Sequence, residues 1–518
     1  MRRSPLILAA LLLASFTINL DTTIVNVALP RLALDLHATN SQLQWIVDAY
    51  NLTFASLLLA SGSLSDRFGR KGMLLAGLGV FGLASLAGGL TSNLDQLIVA
   101  RCFMGVGAAM VFPSTLSLIV NVFTERAERA RAIGLWTAVA GMAIAMGPIV
   151  SGWLLEHYEW KSIFFVMAPA AAVTAALVAW KVPTSRDPRA PKLDRLGFVL
   201  ATAAMGLLVY TIIEAPDYGW SSPRSLAGFI LATGLFGAFV AWERRVEEPM
   251  LDIGLFKNPR FTAASGSVTV AFFTLFGFIF LVTQYFQFFK HYGPLSTGVH
   301  MLPFAFSVGI GSIVGTKLAL RFGNKLIVTM GLLAVAGFYE WASTVETGTS
   351  YALIACMMLL FGLGMGFTTA PATEAIMGVV SKHKAGVGSA INDATRLTGG
   401  TLGVAVIGSI YASLYKSRLT AALPVQLPHA LTHISQSSAG AALAVARHLN
   451  ADGWTELGGP VHNAATQGFH DGLSAGCVVA GGLAAVGAIM VAIWLPAQPD
   501  EEPVLLPDLP LVGPAVTD

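Results

Sequence analysis

Six ionisable side chains stand in or beside stretches of sequence that are otherwise apolar: Asp21, Asp48, Arg101, Glu374, Asp393 and Arg396. A charged group in a hydrocarbon layer costs roughly 2.5 kcal/mol or more, so each is a functional candidate by default. Burial makes a carboxylate hold its proton and a neighbouring arginine loosens it, so a proton and a cation can compete for one such group. At 1.5 Å per residue, Asp21 lies ~22 Å along its helix, Asp48 ~8 Å from the outer end of the next, and Arg101 ~6 Å into the fourth. These three fall in one half of the membrane, at depths where they could meet; a plain ion pair tying helices together is the structural alternative for Asp21 and Arg101. Asp393 and Arg396 are i,i+3 on one helix and can neutralise each other. Glu374 is expected just past the cytoplasmic end of its helix.

The elements that hold these groups are legible from composition. Of 518 residues, 55% are hydrophobic and 12% charged, against about 25% charged in soluble domains. The apolar residues come in blocks of about twenty, the length of a membrane-crossing helix. Fourteen such spans lie near 6–29, 43–64, 73–92, 97–120, 132–155, 162–180, 196–214, 225–242, 261–286, 296–319, 326–344, 351–372, 387–411 and 472–495. The expected fold class is an all-α polytopic membrane protein. A soluble enzyme, a secreted disulfide scaffold and a nucleic-acid binder are argued against, the last by a net charge of only +2. Cys102, Cys356 and Cys477 read as small packing residues. No Gly-Lys dipeptide is present, so there is no Walker A loop and no ATP site of that type. Neither cofactor nor metal is expected, since His429 and His433 have i,i+4 spacing but no acidic or cysteine partner nearby.

With both termini cytoplasmic, inward loops hold 22 of the 31 lysines and arginines, outward loops seven and spans two. The positive-inside rule selects that orientation. Arg67, Phe68, Gly69 and Lys71 recur 254 positions later as Arg321, Phe322, Gly323 and Lys325, and Gly134 recurs as Gly388. A constant offset at two separate places indicates duplicated halves. The expected organisation is a six-helix bundle over 1–185, an inserted pair of helices with linkers over 186–250, a second six-helix bundle over 251–500, and an acidic disordered tail over 501–518. The outward segment 412–471 is expected as a long external loop with an amphipathic helix around Leu431–Leu449.

The motifs resemble those of the major facilitator superfamily, and within it the fourteen-span branch of drug:proton antiporters. GSLSDRFGRKG (62–72) is similar to the signature after the second helix, with Gly62, Asp66, Arg67, Gly69 and Arg70. Leu97–Ala109, with Arg101 and Gly105, is similar to the fourth-helix motif, and Gly147-Pro148 with Gly152 and Trp153 to the fifth-helix antiporter motif. Leu20 to Pro30 matches the first-helix motif of the fourteen-span branch. Further matches are Trp45-Ile46-Val47-Asp48-Ala49-Tyr50, Gln284-Tyr285-Phe286-Gln287 and the run from Pro371 to Ala405. Two departures are Ser151, where the antiporter motif often has glycine, and Leu320, where the first copy of the loop signature has Asp66.

The resemblance implies two like-oriented bundles that rock about a central path. It implies that Asp66 is a latch between them; a carboxylate there can cap the positive end of a helix from the other half, near Gly386 to Ser389, or meet Arg126, Arg129 or Arg131. It also implies that the Gly147–Pro148 kink seals the cytoplasmic side against leak. Trp45, Tyr50, Phe276, Gln284 and Gln287 are candidates for lining a cavity for flat cations, the aromatic ones through cation–π contacts. The implied activity is proton-coupled export of small lipophilic, cationic compounds by a monomer in the cytoplasmic membrane, among membrane lipids. Export of an endogenous lipid or metabolite is the alternative, and a membrane acyltransferase is argued against by the absence of a His-x4-Asp arrangement.

Overall fold

The computed structural model describes residues 4–186, 194–247, 249–379 and 385–496. Among the described residues, eighteen α-helices follow one another: α1 Ser4–Ile24, α2 Leu29–Asp35, α3 Asn40–Phe68, α4 Arg70–Leu90, α5 Leu94–Val122, α6 Arg126–His157, α7 Lys161–Lys181, α8 Arg195–Tyr218, α9 Pro223–Glu243, α10 Pro259–Gln284, α11 Pro294–His300, α12 Leu302–Phe322, α13 Asn324–Ala342, α14 Tyr351–Val379, α15 Ala385–Ala422, α16 His429–Ser437, α17 Ala439–Ala451 and α18 Thr455–Trp494. A 3₁₀ turn, Val25–Ala28, joins α1 to α2, and a π turn, Tyr285–Phe289, prolongs α10. Among the described residues, fourteen helical stretches are long and apolar enough to cross a membrane. We call the end of the bundle at which Ser4 lies proximal, and the end reached by α2 distal.

Local chemistry sets the helix ends. Thr39 and Gln42 form a reciprocal capping box at the start of α3, with Gln42 N donating to Thr39 Oγ1 (3.2 Å) and Thr39 N to Gln42 Oε1 (3.0 Å). Gly69 ends α3 at φ +116° and Gly323 ends α12 at φ +87°, backbone that side chains rarely tolerate. The 254-residue offset therefore holds between elements as well as residues. The stretch Asn40–Phe68 maps onto Pro294–Phe322, and each turns through a glycine into the next helix.

The segment 412–471 differs from the expected external loop. α15 continues to Ala422 and α18 begins at Thr455, and between them run two helices, α16 and α17, instead of one. α17 is Ala- and Gly-rich, and Ala439–Leu443 and Val445–Ala446 are buried. A helix packed by small residues lacks the wide apolar stripe of an interfacial helix, so its burial is not announced by amphipathic periodicity.

The two halves meet at the distal end. Gln287 Nε2 in the π turn donates to Val27 O (2.8 Å), and Ser409 Oγ on α15 donates to Gln44 Oε1 on α3 (3.1 Å). Toward the proximal end, α6 is loosely surrounded: a Cβ on Gly134 or Gly141 would meet nothing within 4 Å.

Candidate functional site

Arg101 on α5 is the most heavily used buried cation. Its Nη1 donates to Asp21 Oδ2 on α1 (2.6 Å), its Nε donates to Ile46 O on α3 (2.9 Å), and its guanidinium lies 4.4 Å from the Tyr50 ring centroid. Tyr50 in turn donates its hydroxyl to Ile18 O (3.0 Å). Asp21, Tyr50 and Arg101 are all fully enclosed. The cluster fastens three helices of the first half, and Tyr50 is a lid on the guanidinium rather than a wall of a substrate cavity.

Asp48 is not part of it. Ile46 and Tyr50 face Arg101, and a residue two positions from either points about 200° away around a helix. The sequence depths were compatible with a three-way meeting, but the helical phase separates Asp48 from the pair. Both Asp48 carboxyl oxygens are buried and, among the described residues, without a hydrogen-bond partner. Asn40, Gln44 and Asn51 stand with it at i, i+4 and i+11 spacing, all buried, and each has at least one unpartnered polar atom. Gln44 lies directly against the backbone of α15, where a Cβ on Gly408 would come within 2.8 Å of its Cδ. This row of polar side chains thus runs down the face of α3 that packs against the other half. Sequence reading singled out Asp48 alone. The signal for the row was its helical spacing within an apolar span.

In the second half, Arg396 Nη1 and Asp393 Oδ1 are 3.8 Å apart on α15, as the i,i+3 spacing anticipated. Arg396 Nη2 also donates to Thr373 Oγ1 on α14 (3.0 Å), and its guanidinium lies 5.4 Å from the Phe272 ring centroid on α10. Glu374, one residue along from Thr373, lies within α14 rather than beyond its end. It is exposed and accepts a hydrogen bond from Asn324 Nδ2 (3.1 Å).

Gly62, Asp66 and Arg67 belong to the last turns of α3, not to a loop; only Gly69 is the turn, and Arg70 opens α4. Asp66 Oδ1 accepts from Arg70 Nε (2.6 Å), and Arg70 also donates its Nη1 to Ser185 Oγ (3.1 Å) and its amide to Ser185 O (2.9 Å). The carboxylate is thus engaged within its own half. The side chains of Arg126 and of Gly386–Ser389, two of the suggested latch partners, lie outside the described residues.

The kink motif is closely packed on two sides. Pro148 cannot donate to Ile144 O, four residues earlier, and Thr23 Oγ1 of α1 donates to that carbonyl instead (3.0 Å). A Cβ on Gly147 would collide with Thr23 Oγ1. On the other side, a Cβ on Gly152 would stand 2.5 Å from Leu295 Cα, and Gly298 lies against the Pro148 carbonyl. Gly152 therefore seats α11 of the second half against α6 at the distal end. Sequence showed the freed carbonyl but not its donor or the helix that covers the kink.

The remaining cavity candidates are placed differently from one another, and Gln287 lines a cavity bordered by α2, the π turn, α17 and α18. Trp45 Nε1 donates to Glu214 Oε1 on α8 (3.0 Å), which holds the inserted pair against α3. Phe276 is buried beneath Gly400 of α15. Gln284 is enclosed, bonds its own helix at Phe280 O (3.1 Å) and leaves Oε1 unpartnered. Among the described residues, no three His, Cys, Asp or Glu side chains are grouped to hold a metal ion.

Fourteen helical stretches among the described residues that are long and apolar enough to cross a membrane, in a repeat of six around an inserted pair, define a polytopic membrane transporter. The chain belongs to the Major Facilitator Superfamily, whose profile matches residues 11–404. Among curated relatives it is 35% identical to the multidrug resistance protein Stp of Mycobacterium tuberculosis over 449 residues, which cover 85% of this chain and 82% of that protein. It is 33% identical to the multidrug efflux pump LfrA of Mycolicibacterium smegmatis over 486 residues, covering 94% of this chain and 95% of that one. Among solved structures, a bacterial homologue of the human lysosomal transporter Spinster, inward-facing and occupied, matches with a TM-score of 0.68 at 14% identity over 95% of this chain and 98% of that one. A D-xylose–proton symporter matches with a TM-score of 0.60 at 12% identity over 96% of this chain and 98% of that one.

Proposed function

We propose that this protein exports lipophilic cations from the cytoplasm in exchange for protons, working as a single chain in the cytoplasmic membrane with both termini inside. On that orientation the distal end is external, and the present arrangement is closed outside. The observation that carries the reading is Asp48: an enclosed carboxyl with no partner, on the face of α3 that meets the other half. Left ionised there, its charge would be answered by no donor and no cation, a cost that a proton removes. When the halves rock and α3 separates from α15, the same carboxyl meets water and can exchange that proton or accept a cation. Relatives whose names denote multidrug efflux support the class of cargo.

Energetics favour more than one such group. Swapping one proton for one monovalent cation moves no net charge, so only the pH difference contributes, at about 1.36 kcal/mol per unit. A second proton adds the membrane potential, about 2.3 kcal/mol per 100 mV. Asp393 is the candidate for the second proton, because its arginine stands 3.8 Å away on the same helix and can exchange partners with Thr373.

Ethidium efflux from cells, with and without a protonophore, tests the reading in wild type and in Asp48→Asn. Efflux is expected to stop with protonophore in wild type and to be absent in the variant. Protonophore-insensitive efflux by wild type removes the coupling, full efflux by Asp48→Asn removes Asp48 as its carrier, and failure of wild type to move ethidium removes the cargo class.

A further inference from the structure

At the distal end a cavity of about 370 Å³ lies between the halves, within the range of roughly 300–1,000 Å³ typical of small-molecule sites. Arg31 of α2 enters it from the first half. His291, which follows the π turn, Arg447 of α17 and His462 of α18 enter from the second. The lining contains no aspartate or glutamate, and among the described residues none of the four basic side chains forms an ion pair. Folding therefore gathers four exposed basic side chains, two of them arginines, from four separate elements around one space with no acid in its lining.

The backbone there is also unusual. A π turn is rare and recurs at functional sites. The chain leaves it through His291 at φ +55°, with Tyr292 N bonded back to Phe286 O (2.9 Å). Helix ends that need a left-handed residue normally use glycine. Here the position carries an imidazole that joins the cavity.

We propose that this cavity binds a phosphate-type anion that bridges the two halves of the transporter. Two arginines offer planar forks that match phosphate oxygens, and the histidines add donors. Apolar wall is supplied by Leu34, Phe288 and Leu443, which suits the glycerol and first acyl carbons of a phospholipid. Because its ligands come from both halves, the bound anion stabilises the arrangement in which they are together. A cation travelling outward is repelled by the same charges, so this site is separate from the Asp48 row.

The test uses the purified full chain in neutral detergent and measures binding of dihexanoyl phosphatidylglycerol, inorganic phosphate and, as the phosphate-free control, dihexanoylglycerol. Phosphatidylglycerol is expected to bind wild type and dihexanoylglycerol not to. Arg31→Gln with Arg447→Gln is expected to weaken phosphatidylglycerol by about ten-fold or more, from loss of charge-assisted hydrogen bonds. If inorganic phosphate binds as tightly and is lost in the same variant, the anion site stands and its source is soluble. His462→Gln, a milder change in the lining, serves if the double variant does not fold, with a several-fold loss expected. Unchanged phosphatidylglycerol and phosphate binding in folded variants, or equal binding of dihexanoylglycerol, overturns the proposal.

Discussion

The two halves each contain a buried carboxylate–arginine pair, and the pairs are built in opposite ways. Asp21 and Arg101 come from helices 80 residues apart, touch at 2.6 Å and are sealed from solvent, with Tyr50 and Ile46 O completing the arginine's shell. Asp393 and Arg396 lie one turn apart on α15, stand 3.8 Å apart and retain side-chain exposures of 11% and 28%. A dry, tightly bonded pair fixes helices; a longer, part-exposed pair holds its partner less firmly. The first pair joins helices of one half into a unit, whereas the second stays within one helix and reaches Thr373 on its neighbour.

The largest expected effect breaks the first pair. Arg101→Ala leaves Asp21 buried without a cation and is expected to cost about 3–5 kcal/mol. Thermal unfolding of the detergent-solubilised protein measures it, and a loss under about 1 kcal/mol would remove the structural reading. Arg396→Ala, the matching change in the second half, is expected to cost less, because the contact is long at 3.8 Å and the arginine is part-exposed. Equal losses in the two variants would abolish the contrast. Arg396→Ala should instead lower ethidium efflux while leaving the unfolding temperature close to wild type.

Next in size is the packing of the kink motif. Gly152→Ala pushes a methyl into the Leu295 backbone, an overpacking worth about 1–3 kcal/mol, but only in the arrangement where the distal end is closed. Gly134→Ala meets empty space on the same helix and is expected to be neutral or slightly stabilising, since alanine is favoured over glycine within helices by about 1 kcal/mol. Efflux rates should therefore fall in the first and persist in the second. Thr23→Val, which removes the donor to the carbonyl freed by Pro148, is expected to cost about 1 kcal/mol, read by the same unfolding measurement.

Much of this architecture was legible because membrane helices announce themselves by length and hydropathy, and because the Arg-Phe-Gly turn is repeated at a fixed offset. Asp21 and Arg101 were matched in depth from the rise per residue alone. What the sequence could not show was phase between helices. Depth places Asp48 beside Arg101, while rotation about α3 carries it to the opposite face. Trp45 and Tyr50 likewise read as cavity aromatics by type, but their partners, Glu214 and Arg101, are set by packing across 169 and 51 positions of chain. α17 was under-read for a related reason, since alanine and glycine carry little hydropathy contrast and yet pack closely.

The smallest effects lie at the proximal turns, where the same repeat has diverged. After α3, Asp66 and Arg70 flank Gly69 as a part-exposed i,i+4 pair, with Arg70 tied onward to Ser185. After α12, Leu320 occupies the place of Asp66 and is 78% exposed, and the acid near the turn is Glu374, reaching Asn324 from α14. The first turn is thus braced by a local ion pair, the second by a single hydrogen bond from an amide to a carboxylate between helices. Asp66→Asn is expected to cost only about 0.3–0.5 kcal/mol, and less at high salt because exposed pairs are screened. Glu374→Gln preserves an acceptor for Asn324 and is expected to change stability by less still, with no salt dependence. Unfolding temperatures of the two variants at low and high salt separate these outcomes. A salt-dependent loss in Glu374→Gln would mean that the second turn also rests on an ion pair, and that the divergence lies in which helix supplies the charge.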